Sequence, residues 1–153
     1  MLVMERRTED ELKELIRLNK DAARGFSLAA ERAEDMQYSA YLDDIASTRR
    51  AYEITLAELG RRHGVDIDSL DTHPSADAHR AWMEIADALT ESDDALISEC
   101  IRGEQYTARE YALAQSNHMW PETLDRALRS QHRDVLNTLS TLREIDARTQ
   151  MSA

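Results

Sequence analysis

Four glycines and two prolines are all that interrupt 153 residues, and the apolar residues between them recur at helical spacing almost from end to end. Glycine and proline are the residues that end regular structure, so a chain this poor in them must build few, long elements. At about 100° per residue, Leu12, Leu15, Ile16, Ala22, Ala23, Phe26, Ala30 and Ala33 share one face. Leu42, Ile45, Ala46, Tyr52, Leu56 and Leu59 share another, as do Ile97, Cys100, Ile101, Ala108 and Tyr111, and then Leu124, Leu128, Val135, Leu139, Leu142 and Ile145. Ala, Leu, Glu and Arg dominate, a helix-favouring bias.

The spacing predicts helices over about 8–36, 38–63, 76–90, 92–116 and 121–148. Thr8 and Glu11 stand at capping-box spacing. Gly60 and Gly64 mark the end of the second helix, although no Gly or Pro separates it from the first. Ser92 followed by Asp93 and Asp94 reads as an N-cap with acids in the first turn, and Pro121 as a first helical residue. Residues 64–75 read as a loop, and the short helix after it turns Trp82, Met83, Ile85, Ala86 and Leu89 inward. The prediction is one all-α domain covering 1–153. The tight joints make two antiparallel hairpins. The link between them, from about His63 to Ser92, is long enough to run the length of a bundle. One long crossover between two hairpins is the ferritin-like variant of the four-helix bundle.

Composition narrows the partners. The net charge is −11, with 30 acidic against 19 basic residues. That surface repels phosphate backbones and anionic lipid, which disfavours nucleic acid and membrane partners. One cysteine, Cys100, forms no internal disulfide. No apolar run resembles a signal peptide or a membrane span, and a cytoplasmic location is expected.

Some polar residues fall where the pattern calls for apolar ones. Glu104 sits in the middle of the third long helix's apolar face, Asn19 in the first, Arg49 and Glu53 in the second, and Gln131 in the fourth with His132 near its edge. Counting from the turns puts them all near mid-bundle. Ferritin-like proteins hold two metal ions there, usually with Glu from two helices and Glu-x-x-His from the other two. Such carboxylate and imidazole donors suit iron or manganese. Here none of His63, His73, His79, His118 and His132 has an acid three residues before it. Arg49 adds a fixed positive charge that opposes a cation. The favoured reading is a metal-free buried network of Asn19, Arg49, Glu53, Glu104 and Gln131, in which charges persist because they are paired. Tyr52, Tyr111 and Cys100 read as core residues, Trp82 as packing the short helix with His79 at its edge, and Asp71, Thr72, His73 and His118 as solvated linker.

The stretches ELIRLNKDAARGFSLAAERAED (14–35), HRAWMEI (79–85) and ALISECIRGEQYTAREY (95–111) resemble an uncharacterised bacterial ferritin-like family, the domain of unknown function 2383. The motifs are Gly25-Phe26 with Ala29-Ala30-Glu31, His79-Arg80-x-Trp82, and Arg102-Gly103-Glu104. The resemblance implies a ferritin-like bundle in a bacterial cytoplasm and implies no established activity. Gln105 stands where relatives tend to carry an acid, and the last helix matches least. Glu31 falls in a motif yet points away from the seam. Two functions follow. The first is a non-catalytic bundle acting through protein contacts or self-association, with no cofactor. The alternative is a degenerate di-metal carboxylate protein that binds or oxidises iron or manganese with Glu53, Glu104, His132 and Glu31.

Overall fold

The structure is a computed structural model that describes residues 4–70, 82 and 92–151. Among them are four helices and no strand: α1 (Arg6–Arg32), α2 (Met36–Arg62), α3 (Asp93–Asn117) and α4 (Glu122–Met151). The short helix expected over 76–90, and with it His73 and His79, lies outside the described residues except for Trp82. No described helix is long and apolar enough to cross a membrane.

Each helix buries the face its periodicity marks out. Leu12, Leu15, Phe26, Leu42, Leu56, Ile97, Tyr111, Leu124, Leu128 and Leu142 are all essentially inaccessible and belong to one continuous core. Burying a large apolar side chain is worth about 1.5–3 kcal/mol, so this shared interior holds the helices together.

Hydrogen bonds between helix ends fix the directions. The start of α1 meets the end of α3, where the Thr8 hydroxyl lies 3.1 Å from His118 Nδ1. At the other end, the Glu34 and Asp35 amides donate to the Asp93 carboxylate at 2.9 and 3.0 Å. Tyr38 reaches Thr149 and His63 reaches Thr123, so α2 and α4 are antiparallel as well. The contacting pairs are α1–α2, α3–α4, α1–α3 and α2–α4, which leaves α1–α4 and α2–α3 on the diagonals. α2 therefore ends at the end of the bundle opposite to where α3 begins.

Several boundaries differ from expectation. α1 starts at Arg6, and its N-cap, Glu5, makes no side-chain capping bond. Thr8 is not the cap; it is buried inside the helix, beside His118. The first joint falls at Ala33–Asp35, earlier than expected, because Asp35 accepts from the Gln37 and Tyr38 amides and so starts α2 at Met36. Gly60 lies within α2, and Gly64 alone, at φ 80°, takes the left-handed turn after it. There the Val65 amide reaches back to the Gly60 carbonyl at 2.9 Å, a Schellman-type stop. Ser92 caps α3 through the Ala95 amide, while Pro121 sits just before α4.

Candidate functional site

The polar residues of the interior form two layers. In one, Arg49 of α2 faces Glu104 of α3, and neither side chain is reached by solvent. Arg49 Nη1 donates to Glu104 Oε1 at 3.0 Å and Nη2 to Oε2 at 2.5 Å. This two-pronged geometry is the strongest form of a charge-assisted pair. The guanidinium carbon also lies 5.8 Å from the Phe26 ring centre and 5.6 Å from that of Tyr52, within range of cation–π attraction. Arg49 Nε has no partner among the described residues.

Burial pushes the Glu104 carboxyl up to about 7, and Arg49 pulls the other way without cancelling it. Burial, with Glu104's charge behind it, also raises the Cys100 thiol far above the range in which a thiolate forms. Cys100 is thus an inert core group.

In the other layer, Asn19 Nδ2 donates to the Tyr111 hydroxyl at 2.7 Å and to the Leu15 carbonyl at 2.9 Å. Tyr111 Oη donates in turn to Gln131 Oε1 at 2.7 Å. Between the layers, Tyr52 donates to half-buried Asp134. Burial and this acceptor both raise the Tyr52 hydroxyl.

Of the residues singled out from sequence, Asn19, Arg49, Glu104 and Gln131 are thus buried and bonded. Glu53 is not among them. It lies half-buried on the flank of α2, where burial raises its carboxyl while Lys20, Arg24 and Arg50 lower it. Its position at the edge of the apolar face, one turn from Arg49, made it look central. His132 is only partly buried; Gln115 lies 3.2 Å from its Nδ1 and its ring stacks on Tyr111. Glu31 is exposed near the end of α1. His118 is no free linker residue, since it meets Thr8 and packs its ring 5.8 Å from Trp120.

Tyr111 and Asp134 were missed as network members. Its place on the apolar face marks Tyr111 as core, yet a buried tyrosine hydroxyl needs a partner, and Asn19 and Gln131 supply it. Asp134 stands three residues after Gln131, on the same side of α4.

The donors do not fit a di-metal centre. Both Glu104 oxygens are committed to Arg49, whose charge occupies the middle of the space. Glu53, Glu104, His132 and Glu31 do not converge, and among the described residues no three His, Cys, Asp or Glu side chains do.

Trp82 closes the Arg49 layer from the side. It is 1% exposed and tilts against Phe26 at 4.7 Å between ring centres. Its ring lies over Gly103, the neighbour of Glu104, where a Cβ would fall 2.9 Å from three ring carbons. Gly103 is therefore the notch that admits the indole beside the ion pair.

A family model described as a domain of unknown function (DUF2383) matches residues 7–116, the span that holds Asn19, Arg49, Gly103 and Glu104. No curated protein and no solved structure matches the chain.

Proposed function

We propose that this chain, which belongs to the family of the domain of unknown function DUF2383, is a non-catalytic ferritin-like bundle acting through protein contacts of its outer faces, self-association included. The observation that carries this reading is the bidentate Arg49–Glu104 pair, enclosed out of reach of solvent. A ferritin-like bundle uses that space for cations and for access to them. A guanidinium anchored by two hydrogen bonds supplies the positive charge internally and leaves no carboxylate oxygen for a metal. The up-down-down-up order of the helices supports the ferritin-like comparison. The net charge of −11 argues against nucleic acid and anionic membrane partners, and the lone, buried Cys100 suits a reducing cytoplasm.

The alternative, a degenerate di-metal protein handling iron through Glu53, Glu104, His132 and Glu31, lacks a converging donor set among the described residues. Metal analysis of untagged protein, purified and then incubated with iron(II) or manganese(II), decides between them. The expected result is well below one ion per chain, and no rise in melting temperature with added metal. Near-stoichiometric metal that disappears in Glu104→Ala would overturn the proposal.

A further inference from the structure

We propose that the outer face of α2 is a two-fold dimerisation surface, on which a second copy of this chain packs antiparallel. This rests on the reading that the outer faces carry the function, and it names the face and the partner.

The side of α2 opposite its buried residues Leu42, Ile45, Arg49 and Leu56 is centred on Ser47, Ala51 and Ile54, all solvent-accessible. Ile54 is 65% exposed in the body of a helix. The more exposed apolar residues, Met36, Met119 and Met151, sit at a helix end or a turn. Small side chains at Ser47 and Ala51 allow another helix to approach to the short end of the roughly 8–10 Å range of packed helices.

Charge chooses the occupant. Asp43 and Asp44 lie on this face toward the N-terminal end of α2, and Arg61 and Arg62 toward its C-terminal end, all exposed. A two-fold axis crossing the helix between Tyr52 and Glu53 sets Ala51 against Ile54 of the second copy. The same axis sets Asp44 against Arg62 and Asp43 against Arg61, each pair 18 residues apart and so on one stripe of the helix, twice over. A parallel pairing would set acid on acid. A face with Asp43 and Asp44 at one end, Arg61 and Arg62 beside Glu58 at the other, and Ser47, Ala51 and Ile54 between has the charge order that fits itself reversed, which is what an isologous interface requires. The present partners of the arginines, Asp68 at 3.2 Å and Glu58 at 2.8 Å, are exposed pairs of the kind exchanged at little cost.

Sedimentation of the full chain over a concentration series tests the proposal. A dimer is expected whose affinity falls about tenfold or more at high salt, as its end pairs are screened. Asp44→Arg and Arg62→Asp should each weaken it by about tenfold or more. The double variant Asp44→Arg/Arg62→Asp should restore it, because the pair is rebuilt with its signs exchanged. An equimolar mixture of the two single variants should form a heterodimer, since both of its end pairs are attractive. Ile54→Lys should abolish association with an unchanged helical circular dichroism spectrum.

A monomer at every concentration overturns the proposal, as does a dimer indifferent to Asp44→Arg, Arg62→Asp and Ile54→Lys. Neither result touches the metal-free interior, which only metal uptake would overturn.

Discussion

Removing one partner of Arg49–Glu104 should cost more than removing both. Arg49→Ala leaves an ionisable carboxyl in a dry core, and Glu104→Ala strands a guanidinium there; each is expected to destabilise by about 3–5 kcal/mol. Arg49→Met with Glu104→Leu, which refills the space with apolar atoms, should recover most of that loss in urea unfolding. The pair also sets a pH dependence. Glu104 titrates near 7 in the folded chain against an ordinary value of 4.5, so between those values the folded state holds a proton that the unfolded state has released. Stability from this group is complete below about pH 4.5 and falls as pH rises through about 7. Urea midpoints measured from pH 5 to 8 should fall in the parent and stay nearly flat over that range in Glu104→Gln. At this scale the sequence was informative wherever a polar residue stood at the centre of an apolar face, as with Glu104, Arg49, Asn19 and Gln131. It misled where a residue stood at the edge, as with Glu53, because periodicity fixes an angle but not which neighbouring helix lies beyond it.

At the scale of the elements, apolar spacing identified four helices, while their ends depended on single hydrogen bonds. Thr8 and Asp35 both carry capping-type side chains. The deciding difference is tertiary: the Glu34 and Asp35 amides are held by Asp93 of α3, which leaves Asp35 free to cap α2. Asp35→Ala should therefore cost about 1 kcal/mol and loosen the first turn of α2, seen as faster amide exchange at Gln37 and Tyr38. Gly103 makes a second case. Within α3 it looks like a helix-weakening residue, yet the Trp82 indole fills the place of its side chain. Gly103→Ala gains helix propensity of about 1 kcal/mol and must push an aromatic ring aside, which costs about 1–3 kcal/mol. The net expectation is a modest loss of stability together with a red shift of Trp82 emission, read in a Trp120→Phe background.

For the molecule as a whole, the length of the link after His63 foretold that α2 and α3 run the same way. The consequence visible only in three dimensions is that every pair of adjacent helices is antiparallel, with the parallel pairs on the diagonals, bridged for α2 and α3 by Arg49 and Glu104, so neighbouring helix dipoles oppose one another. Charge at this scale works against the fold: a net −11 repels itself through solvent, whereas Arg49 and Glu104 act where salt does not enter. Raising ionic strength from about 0.01 M to 1 M shortens the screening length from about 30 Å to 3 Å. That change should stabilise the chain, raising the melting temperature by about 2–4 °C. An Ile54→Lys background keeps association out of the measurement. A double-mutant cycle on Arg49 and Glu104 at the two salts should return the same coupling energy, because the pair is fully enclosed. The same cycle on the exposed Arg126–Glu122 pair, 3.0 Å apart on α4, should start below about 1 kcal/mol and vanish at high salt. A coupling at Arg49–Glu104 that decays with salt in the same way would mean that water and ions reach the centre of the bundle, and the closed interior would have to be abandoned.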